Sequence, residues 1–137
     1  TQNIDGLHQA AGSRKVYELH GSVHCSHCMK CRKKFDLAYI MSTKGVARCD
    51  SCGGVIKPDV VLYEESLDDN VIMGAVRAIA AADVMIIGGT SLTVYPAAGL
   101  VNYYTGDKLV LINMTPTSAD SLASLVIREP IGQALGI

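Results

Sequence analysis

The chain has 137 residues, 49% of them hydrophobic, which suits one compact domain with a small insertion. Its formal net charge of -1 lacks the basic excess that nucleic-acid binders carry. The longest uncharged stretch, Val84 to Gly106, contains Gly88, Gly89, Pro96 and Gly99, so it reads as strand, loop and helix rather than a membrane span. No stretch reads as a signal peptide.

In chain order, Thr1 to Gly12 reads as a strand end running into a loop, the start expected of a piece of a longer protein. Val16 to Gly21 is expected to be a short strand closed by a glycine turn. Residues 25–57 hold every cysteine and a basic run, Lys30, Arg32, Lys33 and Lys34, and form the candidate inserted module. Residues 1–24 and 58–137 are then one domain around it. Val60 to Tyr63 is expected to be extended. Asp68 or Asp69 can cap the next helix, on which Val71, Ile72, Ala75, Val76, Ile79 and Ala80 share a face.

Val84 to Ile87 is a continuous apolar run ending in Gly88-Gly89-Thr90-Ser91, the pattern of a parallel strand covered on both faces. Pro96 suits the first position of the following helix. Leu109 to Asn113 and Leu125 to Ile127 read as two more strands. Helices alternating with fully apolar strands imply an α/β fold with a parallel sheet.

Five cysteines stand at positions 25, 28, 31, 49 and 52. An odd number in CxxC pairs argues for metal rather than disulfides, with the cytoplasm as the expected compartment. Cys28-x2-Cys31 and Cys49-x2-Cys52 have the spacing of a structural four-cysteine zinc site, one Zn2+ per chain. Cys25-Ser26-His27-Cys28 is also a CxxC, so spacing alone leaves the register open; Cys28 with Cys31 is the pairing adopted here. His24 and His27 are possible substitute ligands, but the surface is the reading adopted for them. A closed four-thiolate site has no open position, so zinc there holds structure rather than activating water.

Polar residues collect where the apolar strands end: Gln2, Asn3 and Asp5, His20 before Gly21, Gly89-Thr90-Ser91, and Asn113. Ligands of open parallel sheets bind at those ends. Together these segments resemble the sirtuins. Thr1-Gln2-Asn3-Ile4-Asp5-Gly6-Leu7-His8 is similar to the TQNIDxLH motif, and Glu18-Leu19-His20-Gly21 to the catalytic-histidine segment. Gly89-Thr90-Ser91-Leu92-x-Val94-x-Pro96 is similar to GTSLxVxP, and Ile112-Asn113 to the later IN segment.

The resemblance implies a Rossmann-like, sirtuin-type (DHS-like) NAD-binding sheet, incomplete at its N-terminal side, with an inserted zinc ribbon. It implies an NAD-dependent protein-lysine deacylase. In that reaction NAD+ is consumed, an alkylimidate forms, and deacylated lysine, nicotinamide and O-acyl-ADP-ribose leave. His20 would be the general base, with Asn3 beside it in the catalytic set. Gln2 and Asn3 would hold the nicotinamide ribose, Ile4 and Asp5 the carboxamide, Gly89, Thr90 and Ser91 the adenosine ribose and phosphate side, and Asn113 the adenosine ribose.

An acylated-lysine protein or peptide would add as a strand between Val61, Leu62, Tyr63 and Glu64 on one side and Val94 and Tyr95 on the other. Many sirtuins have Phe-Gly-Glu where this chain has Tyr63-Glu64-Glu65. The family's GAGxSxxSGIPDFR loop and first strand are expected before Thr1. Without them this segment is expected to be inactive alone, and to self-associate or pair with an N-terminal complementing segment. Neither a nucleic acid nor a membrane is an expected partner. An ADP-ribosyltransferase using the same site, and a non-catalytic zinc-ribbon binding module, are the competing readings. A ribbon alone would not call for Asn3, His20 and Gly-Thr-Ser at strand ends.

Overall fold

The computed structural model describes residues 1–136, so the last residue of the expected second domain segment, 137, lies outside them. The chain divides into two compact units, Thr1–Ile72 and Met73–Ile137.

The first unit is built on a three-stranded antiparallel sheet. β1 (Gly21–Cys28) lies between β2 (Lys34–Asp36) and β3 (Ile56–Val60), in the order β2-β1-β3. A short helix, α1 (Leu7–Ala10), precedes it, and α2 (Leu37–Ser42) follows β2 directly. The Asp36 carboxylate starts α2 by accepting the Tyr39 N–H at 2.8 Å. Cys28, Phe35, Ala47, Cys49 and Ile56 form the core of this unit, with Tyr39, Ile40 and Cys52 packed against it. β1 and β3 run through positions 24/25 and 57/58, where the sequence suggests module boundaries.

The expected strand over Val16 to Gly21 is not formed. Thr1 occupies that backbone instead: its N-terminal nitrogen donates to the Tyr17 carbonyl at 2.8 Å, and the Leu19 N–H donates to the Thr1 carbonyl at 3.0 Å. The Gly21 N–H then closes a turn on the Glu18 carbonyl at 3.0 Å, and the strand begins at Gly21. Gly21 sits at φ 75°, and a Cβ there would lie 1.9 Å from the Asp59 carbonyl oxygen. Only glycine lets β1 approach β3 at this point.

α3 (Asp69–Ala80) is capped by Asp68, whose carboxylate accepts the Asn70 N–H at 2.8 Å and the Val71 N–H at 3.2 Å. In the second unit, β4 (Met85–Gly88), β5 (Leu109–Ile112) and β6 (Leu125–Ile127) form a parallel sheet in the order β4-β5-β6, the arrangement expected from the apolar runs. Ile87, Leu109 and Leu111 are its buried centre. A 3-10 helix, Ala97–Tyr103, connects β4 to β5 with Pro96 at its N-cap, where an α-helix with Pro96 as first residue is expected. A short helix, α4 (Ile131–Ala134), closes the chain.

Coverage of β4 on both faces is not seen. Ile87 is buried, but Ile86 is 57% exposed, and Val84, just before the strand, is also open to solvent. β4 is also an edge strand among the described residues, paired only with β5. No described helix is long and apolar enough to cross a membrane.

Candidate functional site

Two constellations in the first unit carry the candidate chemistry. The first is the loop Thr1 to Gly6, tied to the start of β1. The His20 Nδ1 lies 3.0 Å from the Gln2 carbonyl oxygen. The Val23 N–H donates to the Ile4 carbonyl at 3.1 Å, and the His24 Nε2 lies 2.8 Å from the Asp5 carbonyl oxygen. Within the loop, the Asn3 amide donates to one Asp5 carboxylate oxygen at 3.2 Å, and the Leu7 N–H donates to the other at 3.0 Å. The loop is therefore held at three carbonyls from one side and braced by Asp5 from the other. Gln2, Asn3, Ile4, Asp5 and His20 are thus brought together, as their order in the sequence suggests.

The two carbonyl-bound histidines differ in consequence. A carbonyl oxygen only accepts, so His20 must carry its proton on Nδ1, and the neutral ring keeps its lone pair on Nε2. His24 is bound through Nε2, which turns the same logic around. Sequence reasoning reads His24 as a surface residue; its anchoring role comes from a contact spanning 19 positions, which no local pattern encodes.

The candidate substrate segment adjoins His20, because the Val61 N–H donates to the His20 carbonyl at 3.0 Å. Beyond Val61 the chain turns instead of staying extended. The Glu65 N–H donates to the Leu62 carbonyl at 3.1 Å, the Leu62 N–H donates to the Glu65 carboxylate at 3.0 Å, and Glu64 sits at φ 70°. Lys57 fixes the turn by donating to the Val60 carbonyl at 2.9 Å and the Glu65 carboxylate at 2.8 Å. The Leu62 amide and Lys57 hold the Glu65 carboxyl below its usual range. The turn leaves Tyr63 97% exposed.

The second constellation is the cysteine cluster. Cys28, Cys31, Cys49 and Cys52 bring their sulfurs within 4.8 Å of one another, with Cys28–Cys52 at 3.5 Å and Cys31–Cys49 at 3.7 Å. A tetrahedron with metal–sulfur bonds of about 2.3 Å has edges of about 3.8 Å, so the cluster fits zinc as it stands. The Lys30 and Cys31 N–H groups point at the Cys28 sulfur, at 3.4 and 3.5 Å. Those amides, the Cys31 one foremost, bring the Cys28 thiol down to about 6 against the opposing effect of burial. The Gly54 amide favours the Cys52 thiolate, but the neighbouring Cys28 and Cys31 sulfurs outweigh it and push Cys52 up to about 12. Sulfurs this close cannot all ionise without a cation among them. A Cβ on Gly54 would meet the Cys28 sulfur at 2.9 Å, so glycine is what lets the second knuckle close. Cys25 stands outside this set of four sulfurs.

In the second unit, the strand ends carry the other candidate residues. After β4 the Gly89 N–H donates to the Ile112 carbonyl at 3.1 Å, with Gly89 at φ 62°. The Leu92 N–H donates to the Thr90 hydroxyl at 3.2 Å, and the Ser91 and Thr93 hydroxyls share a hydrogen bond at 2.7 Å. Val94 and Tyr95 follow, exposed. After β5 the Asn113 N–H donates to the Ile127 carbonyl at 3.1 Å, and its side-chain amide donates to the Thr115 carbonyl at 2.8 Å. Arg128 donates to the Asn113 carbonyl at 2.9 Å and to the Thr115 carbonyl at 3.0 Å, and it pairs with Asp120. Burial alone would raise the Asp120 carboxyl; the Thr117 amide and hydroxyl and the Arg128 guanidinium hold it below its ordinary range.

The model of the Sir2 family matches residues 1–96. The chain belongs to the Sir2 family. This sirtuin chain is 63% identical over 137 residues to an NAD-dependent protein deacetylase of Clostridium perfringens (strain 13 / Type A), covering 99% of itself and 56% of that protein. It is 59% identical over 136 residues to the NAD-dependent protein deacetylase of Clostridium acetobutylicum, covering 98% of itself and 56% of the relative. It thus spans little more than half the length of these relatives. Among solved structures it is similar to a Sir2 complex with p53 peptide and NAD+, at TM-score 0.90 and 39% identity, covering 98% of this chain and 58% of that one. A Sir2 complex with the inhibitor EX-527, 2'-O-acetyl-ADP-ribose and deacetylated p53 peptide matches at TM-score 0.90 and 39% identity, covering 98% and 59%.

Proposed function

We propose that this sirtuin chain is part of an NAD-dependent protein-lysine deacetylase. The observation that carries the reading is the bond from His20 Nδ1 to the Gln2 carbonyl, which commits the ring to one tautomer. NAD+ would supply an electrophilic ribose carbon, from which nicotinamide leaves as the acyl-lysine oxygen attacks. His20 Nε2 would take the proton from a ribose hydroxyl, as a neutral imidazole suits. Asn3, braced on Asp5, would orient the nicotinamide ribose together with Gln2; Ile4 and Asp5 would face the carboxamide. Gly89, Thr90, Ser91 and Asn113 would take the adenosine and phosphate side. Val61, Leu62, Tyr63 and Glu64, with Val94 and Tyr95, would receive an acylated-lysine peptide. Deacylated lysine and O-acyl-ADP-ribose would be the remaining products.

The test is His20→Ala in a protein carrying this segment, assayed with acetyl-lysine peptide and NAD+. Loss of a general base costs about 10²–10⁴-fold in rate. Near-normal nicotinamide release and deacetylation would remove His20 from the mechanism. ADP-ribose appearing on the peptide, with no deacetylation, would favour transfer instead.

We also propose that Cys28, Cys31, Cys49 and Cys52 hold one structural Zn2+ within an inserted module at residues 25–57. The sulfur spacing supports this. Ion and cosubstrate stay on separate sides of the chemistry, since four thiolates leave no site for water. The edge of β4 left unpaired among the described residues, with Ile86 exposed, supports pairing with a second copy or a complementing N-terminal segment. Sedimentation of the chain with and without such a segment is the check, and a monodisperse monomer in both would remove the idea. Reduced thiols favour a cytoplasmic setting, which cell fractionation tests.

A further inference from the structure

Cys25 remains outside the four-cysteine cluster, and its surroundings give it a different use. Along the end of β1, side chains alternate between faces. Ser26 and Cys28 are buried toward the core, whereas Cys25 and His27 lie on the opposite face of the same sheet. Asp59 on β3 joins them there. One ligand atom from each of Cys25, His27 and Asp59 lies within 4.8 Å of the other two, and His27 Nδ1 stands 2.7 Å from an Asp59 carboxylate oxygen.

A backbone irregularity creates this meeting. β3 pairs Asp59 with Ser22 and the adjacent Pro58 with Ser26, so Val23, His24 and Cys25 are extra on β1. Such a bulge re-aims side chains that regular pairing would spread apart. Gly21 keeps the strands close immediately before it.

We propose that Cys25, His27 and Asp59 form a second divalent-metal site, open to one exogenous ligand and separate from the four-cysteine cluster. A thiolate, an imidazole and a carboxylate are the donors of Zn2+ and Co2+ rather than of Mg2+ or Ca2+. Two of the three are anionic when bound and would neutralise the dication. The 2.7 Å separation of His27 and Asp59 must open to roughly 3.3 Å, the edge of a tetrahedron with bonds of about 2.0 Å to nitrogen and oxygen. Asp59 is exposed, so its side chain has room for that movement. Beside the trio lies a recess of about 320 Å3 whose lining includes His27, Arg32, Lys57 and Asp59. Its cations weaken binding of a bare dication and favour an anion as the fourth ligand. The site is therefore weaker than the four-cysteine cluster and exchangeable, and it does not depend on the deacetylase reading.

The test is anaerobic titration of the zinc-replete protein with Co2+. One further equivalent should bind, with a thiolate-to-cobalt charge-transfer band and no release of the first zinc. Cys25→Ser should abolish the band while keeping the first zinc equivalent. Asp59→Asn and His27→Gln should weaken the added ion by at least the 10–100-fold seen when an outer-shell partner is lost. If Cys25→Ser fails to retain the first zinc, Asp59→Asn decides alone. No further equivalent, a band surviving in Cys25→Ser, undiminished binding in Asp59→Asn, or cobalt entering only by expelling zinc would each overturn the proposal.

Discussion

Replacing Gly21 by alanine tests how the loop, β1 and β3 are joined. At φ 75° an alanine enters the left-handed region, which costs about 1–2 kcal/mol for a residue with a Cβ. The new methyl would start 1.9 Å from the Asp59 carbonyl oxygen, a backbone atom that cannot rotate away. The strands must part by more than 1 Å, which breaks the Gly21–Val60 pairing and strains the Val61 N–H bond to the His20 carbonyl. Each lost hydrogen bond is worth about 0.5–1.5 kcal/mol. The total expected loss is roughly 2–4 kcal/mol. Gly12 supplies the control: it has φ 87°, yet a Cβ there meets nothing within 4 Å. Gly12→Ala should cost only the conformational term, about 1–2 kcal/mol. Urea unfolding in zinc-saturated buffer measures both, read as a fall in midpoint at unchanged slope. Equal losses in the two variants would refute the close-approach argument and leave only backbone strain.

Cys49→Ser should lose zinc and folding together, because binding free energy at such a site is folding free energy; full metal occupancy in the variant would count against the four-sulfur assignment. His24→Ala removes the clasp on the Asp5 carbonyl, so it should cost about 1 kcal/mol in stability and raise KM for NAD+ several-fold, with Asn at this position restoring part of it; steady-state kinetics with NAD+ varied would show an unchanged KM if the loop needs no such clasp. Asp120 has a folded pKa below its ordinary value, so its contribution is complete above about pH 4 and fades as pH falls through the depressed folded value. Asp120→Asn should therefore lower stability at neutral pH and narrow the gap to the unmodified chain toward pH 2, as acid titration by circular dichroism would record.

The sequence by itself determined the parts that depend on local period and spacing. The continuous apolar run at Leu109–Ile112 announces a parallel strand, because a strand buried in an α/β sheet has no polar face to alternate with; the run at Met85–Gly88 announces a strand too, although one of its faces is open. Asp68 announces the start of α3, since a short carboxylate satisfies the helix's first free N–H groups. The two knuckles announce the sulfur cluster, and the strand-end motifs announce the family. Tertiary structure decided what pairs with what. Thr1 rather than a strand partner takes the Val16–Gly21 backbone, and Glu65 turns the chain after Val61, because hydrogen bonds across distant positions outcompete local extension. The tautomer of His20 follows from a carbonyl 18 residues away. CxxC spacing alone leaves open whether Cys25 belongs with Cys28; on one strand, three positions apart, the two side chains face opposite sides. The fold sends Cys28 inward to three other sulfurs, and a bulge sends Cys25 outward to His27 and Asp59.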